Sequence, residues 1–185
     1  MFASINHSWG DFPPEIGPSD GNSLLTLGMD WIASEHDVIM MIYGAVPEAR
    51  HFEALQHVEE EVLAKNAHGM TIFNLMTRPS KMLGIGSEAR TLAMSLGRRM
   101  ASRTNVIANV VEGDGFFAAT CRSLLASIAM LGAQPFPQKT FSSRGEGADW
   151  IVPLHNTKSP HKFTEHAWRA LFEDVWMEFT LVHGK

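Results

Sequence analysis

The run Val38-Ile39-Met40-Met41-Ile42-Tyr43 is apolar from end to end, stops at Gly44 and Pro47, and gives way to an amphipathic stretch that begins at Glu48. Its length and its stop signals read as a strand. The same alternation recurs at Met70-Thr71-Ile72-Phe73-Asn74-Leu75 and at Val106-Ile107-Ala108-Asn109-Val110-Val111, each followed by a helical period. Short apolar runs alternating with helical stretches predict an α/β domain.

Working outward, residues 24–32 and 37–46 read as two strands separated by the polar Ala33-Ser34-Glu35-His36, an antiparallel hairpin that opens the domain. Residues 48–65 predict a helix, with Phe52, Leu55, Val58, Val62 and Leu63 on one stripe and Glu53, His57, Glu60 and Glu61 facing away. A second helix runs from Ser87, read as its N-cap, to about residue 102, with Ala89, Leu92, Ala93, Leu96 and Met100 as its buried face. Residues 116–131 are apolar on most sides and predict a central helix. Pro135 and Pro137 hold an extended connection to a last strand at 139–142, and 146–154 close the domain as a brief helix. The expected architecture is a mixed sheet of about five strands with helices packed on it. An irregular arm (1–22) precedes this domain (23–154). A polar linker and an amphipathic helix capped by Thr164 (155–185) follow it. That helix aligns Trp168, Leu171, Phe172, Val175, Trp176 and Phe179 on one side, an apolar face that its own domain or another subunit must cover.

Composition narrows the function classes. A hydrophobic content of 45% and a charged content of 19% are those of a globular chain, and 185 residues suit one domain with a sizeable core. The formal charge of −5 is spread along the chain without a basic cluster, which disfavours nucleic acid as a partner. The single cysteine, Cys121, allows no disulfide within one chain and sits in an apolar helical pattern as a small core residue. The first residues lack a basic segment followed by an apolar one, and no stretch reaches the length of a membrane span. A cytoplasmic protein without membrane partners is expected.

The chemistry-bearing patterns are sparse. Gly84-Ile85-Gly86-Ser87 lacks the lysine ending of a P-loop and reads as a turn. His155, His161 and His166, with Glu165, are spaced across Pro160 and a helix start, so they read as exposed histidines rather than zinc ligands. Glu112-Gly113-Asp114-Gly115 places two carboxylates at a strand's carboxyl end, where α/β sheets commonly bind ligands. Eleven methionines suit an adaptable core or contact surface. No catalytic residue, cofactor or metal is assigned.

Three local features carry a family resemblance: Gly44 before the Pro47-Glu48 helix start, Ser87-Glu88-Ala89-Arg90 opening the second helix, and Phe141 followed by Ala148-Asp149-Trp150-Ile151. With the element order over about residues 24–154, they resemble the STAS domain of anti-sigma-factor antagonists, particularly its SpoIIAA-like relatives. The resemblance implies a regulatory module that binds a partner protein without metal or catalysis. By resemblance the partner surface is the loop and helix at 78–90, with Arg78, Ser80, Lys81, Gly86, Ser87 and Arg90. Glu112 and Asp114, the strand-end carboxylates, complete the candidate partner or ligand surface. Family members are switched by phosphorylation in this loop, where Ser80 and Ser87 stand here; the Asp that precedes the modified residue in the family is replaced by Pro79 and Gly86. Trp168, Phe172, Trp176 and Phe179 form a candidate docking helix for a protein partner or a second copy. The competing expectation is a small-molecule binder or enzyme with a pocket between 77–87 and 112–116.

Overall fold

In a computed structural model the described residues are 22–27, 30–44, 46–77, 86–131 and 135–183. The expected arm lies outside them up to residue 21, as do Arg78, Ser80 and Lys81.

The chain enters as a meander. β1 (Asn22–Leu27), β2 (Asp30–Glu35) and β3 (Val38–Tyr43) pair antiparallel in turn, with Leu27 opposite Asp30 and Glu35 opposite Val38. This corrects the expected hairpin: residues 24–32 contribute to two strands, and Ala33-Ser34-Glu35 complete β2 instead of connecting. The connection is His36-Asp37, where His36 adopts φ 54 and so helps the chain reverse in two residues. Polarity misleads here because Ser34 is buried within the sheet, not turned to water.

From β3 onward the strands are parallel. α1 (Ala49–Lys65) leads to β4 (Met70–Met76), α2 (Ser87–Met100) leads through a 3-10 turn at Ala101–Arg103 to β5 (Thr104–Val111), and α3 (Phe116–Leu131) leads to β6 (Gln138–Phe141). Among the described residues the sheet has six strands in the order β1-β2-β3-β4-β5-β6, so every crossover steps the same way. Right-handed crossovers in one direction place their helices on one face. The packing agrees: Leu55 and Val58 of α1, Leu96 and Met100 of α2 and Cys121 of α3 share a core with Ile39, Met41, Met70 and Ile72.

The alternate residues Val38, Met40, Phe73, Leu75, Val106 and Val110 face the other way. They are covered by α4 (Arg144–Lys158) and α5 (Glu165–His183). α4 starts at Ser143, whose Oγ accepts from the Glu146 N–H at 3.3 Å, and runs four residues past the expected end at Leu154. Pro153 does not stop it. The ring is exposed, on the water side of the helix, where an unbonded carbonyl is tolerated. Gly147 lets this helix approach the sheet: a Cβ there would lie 2.8 Å from Val110 Cγ2 and 3.0 Å from Phe73.

Thr164 caps α5 as expected, its Oγ1 accepting from the Ala167 N–H at 3.0 Å. The apolar face of α5 is covered by its own sheet. Trp168 is fully buried and meets Phe73 edge-on at 5.9 Å, and Phe172 meets the same ring at 5.6 Å. Each such side chain contributes about 2–3 kcal/mol through burial. The buried face of α5 therefore belongs to the domain core. The central position expected for α3 is also corrected, because Phe116, Phe117 and Leu124 are exposed on it.

Candidate functional site

α2 and α3 follow the carboxyl ends of β4 and β5, both on the crossover side. Gly86, in extended conformation, occupies the N-cap position of α2, and Ser87 is the first helical residue rather than the cap. Ser87, Glu88 and Arg90 are exposed, while Ala89 is buried and anchors the turn. Beyond β5, Gly113 (φ 97) and Gly115 (φ 88) take the left-handed conformations that the Glu112-Gly113-Asp114-Gly115 turn requires. Arg122 of α3 reaches back to this turn, donating to the carbonyls of Val111 at 2.9 Å and Gly113 at 3.1 Å.

The two expected carboxylates part company. Glu112 is committed to Arg144, with Oε1 2.7 Å from Nε, and that guanidinium lies over the rings of Trp176 at 4.6 Å and Phe172 at 5.2 Å. Asp114 is exposed. Next to it, Phe116 and Phe117 pack edge to face at 5.8 Å with 76% and 50% of their surfaces exposed. The aromatic pair is the feature that sequence reasoning missed, because an all-round apolar helix reads as buried.

The expected docking helix is corrected by its packing: Trp168, Phe172 and Phe179 are buried in the home core, and Trp176 is half-buried beneath Arg144. Cys121 is buried, its Sγ 3.9 Å from Met76 Sδ, and burial pushes the thiol up.

A polar cluster closes the opposite end of the sheet. His155 is fully buried rather than exposed as expected; its Nδ1 lies 2.9 Å from Thr71 Oγ1 and its Nε2 2.7 Å from the His161 carbonyl. Burial holds its pKa below the usual range, against the opposing pull of Asp37. Asp37, also fully buried, lies 2.9 Å from His68 Nε2. The half-buried ring of His161 stacks on His36 at 4.3 Å, while His166 and Glu165 are exposed. Among the described residues no group of three or more His, Cys, Asp or Glu is placed to hold a metal ion. The parallel register that sets Val38 against Thr71 joins residues 36–37 to 68–71, a juxtaposition no local pattern announces.

Among the described residues no helix is long and apolar enough to cross a membrane. Comparison with protein-family models, with curated proteins and with solved structures gave no match.

Proposed function

We propose that the chain is a cytoplasmic, STAS-like regulatory module that binds a partner protein and carries out no catalysis. Its contact surface is the crossover side at the strand carboxyl ends, where Gly86, Ser87 and Arg90 open α2 and Asp114, Phe116 and Phe117 open α3. The observation that carries this reading is the exposed Phe116–Phe117 pair. Aromatic side chains beside an exposed charged rim have the composition of an interface centre. Commitment of Glu112 to Arg144 removes one of the carboxylates on which the competing pocket would depend.

The test is affinity capture from host lysate with the intact chain and with the double variant Phe116→Ser, Phe117→Ser, identifying bound proteins and small molecules by mass spectrometry. A stoichiometric protein partner, lost in a double variant of unchanged helix content, is expected. A partner retained by both chains, or a bound small molecule without any protein, would overturn the reading.

A further inference from the structure

The sheet ends at β6, whose only neighbour among the described residues is β5. The Ile107 N–H donates to the Pro137 carbonyl at 3.0 Å, so the backbone groups of residue 137 point toward β5. Successive residues of a strand turn their N–H and C=O to opposite edges, which aims those of Gln138 and Thr140 away from the sheet. This edge lies in an open cleft of about 700 Å3, walled by Arg122 of α3 on one side and by Glu146, Asp149 and Trp150 of α4 on the other.

The side chains along the cleft specify an occupant. Lys139 and Phe141 are two positions apart and share the α4 face of β6. The Phe141 ring packs against Trp150 at 5.4 Å, and Lys139 Nζ lies over it at 5.1 Å. Asp149 is paired with Arg169 at 2.7 Å, and Glu146 accepts from Ser142 at the start of α4. Arg122 is spent on backbone carbonyls. Lys139 is exposed and makes no ion pair among the described residues; with Asp149 matched by Arg169, and the Glu146 carboxylate offset by the Arg122 guanidinium, the net charge offered to an incoming chain is positive.

We infer that the β6 edge accepts an extended peptide as a seventh strand, with an acidic residue opposite Lys139 and an aromatic or aliphatic residue two positions away, against Phe141 and Trp150. Main-chain bonds to Gln138 and Thr140 supply sequence-independent affinity, and the two alternate side chains supply selection. This site is separate from the Phe116–Phe117 surface and does not rest on it.

Fluorescence polarisation on the full chain, with labelled ten-residue peptides containing Asp-Val-Phe, Lys-Val-Phe or Asp-Val-Ser, tests the inference. The Asp-Val-Phe peptide should bind tightest, by about five- to tenfold over Lys-Val-Phe. Lys139→Glu should reverse that order. Thr140→Pro, which deletes an outward N–H at an edge where proline is tolerated, should weaken every peptide. Phe116→Ser with Phe117→Ser should change none of them. Lysine on a short edge strand can also serve simply to keep sheets from pairing. If that is its whole role, no peptide binds at millimolar concentration, or binding ignores Lys139→Glu, and the inference falls. It falls equally if the chain self-associates through β6 and excludes peptide. Because Lys139 is exposed, its variant keeps the test decisive even if the proline variant fails to fold.

Discussion

The two faces of this sheet are covered by helices of different origin. α1, α2 and α3 lie where parallel crossovers must put them, whereas α4 and α5 follow the last strand and are held by what they bury. The difference shows in their side chains. On the α4–α5 side, Trp168, Leu171, Phe172, Val175 and Phe179 are all buried. On the crossover side, Met94, Phe117 and Leu124 remain at least half exposed, and α2 packs chiefly on α1. That side also buries polar groups in its layer, including Glu59 and Asn109, whose Oδ1 accepts from the half-buried Asn74 at 2.8 Å. Away from the β6 margin and the exposed Met177, a face closed by aromatic packing has little left to offer a partner. A face whose helices are positioned by topology keeps apolar surface in reserve.

The contrast is broken most severely from the aromatic side. Trp168→Ala should destabilise the chain by about 3–5 kcal/mol, read from denaturant midpoints, because a fully buried indole leaves a cavity. A loss below 1 kcal/mol would mean that α5 is only loosely seated.

Glu59 tests the crossover side through pH. Burial pushes its pKa up to about 8 from 4.5, so the folded carboxyl keeps a proton that the unfolded chain releases. Its contribution is full below pH 4.5 and lost as pH rises to about 8, a fall of roughly 3 kcal/mol between pH 5 and pH 8. Glu59→Gln should flatten that limb; an unchanged slope would count against a protonated Glu59. His155 works in the opposite sense on the other face. Its pKa is lowered, so the unfolded chain takes up the proton first and stability falls as pH drops below 6.5. Proton NMR of the imidazole should show the neutral form persisting below that pH in the folded chain.

Smaller effects are expected where a side chain meets the sheet at one atom or faces water. Gly147→Ala should cost about 1–3 kcal/mol, because the new methyl meets Val110 and Phe73. Phe117→Ser and Leu124→Ser should each change stability by no more than about 0.5 kcal/mol. Thermal melts rank all of these, and a large loss from Phe117→Ser would assign that ring to the fold instead of to a partner.

What was legible in the amino-acid sequence follows the range of each interaction. β3, β4, β5 and the bounds of α1 and α3 are written in local periodicity and stop signals, and Thr164 announces α5 through its hydroxyl. The split of residues 24–32 was not, since β1 and β2 are only two residues apart and read as one strand, and the β2–β3 reversal turns on one left-handed residue, His36, inside a stretch whose polar Ala33-Ser34-Glu35 reads as a connection. Nor was the exposure of Phe116 and Phe117, because an apolar helix at a sheet margin has the same pattern as one at its centre. The cluster of Asp37, His68 and His155 depends on strand register and on a helix returning from the far end of the chain. Glu112 was legible as a carboxylate at a strand end, but its partner Arg144 lies across a later turn.

Hydrogen-exchange mass spectrometry of the full chain, free and with the captured partner, distinguishes the two faces. New protection is expected over residues 112–124 and none over α5. Protection gained on α5 with 112–124 unchanged would contradict it, and would move the contact surface to the face described here as closed.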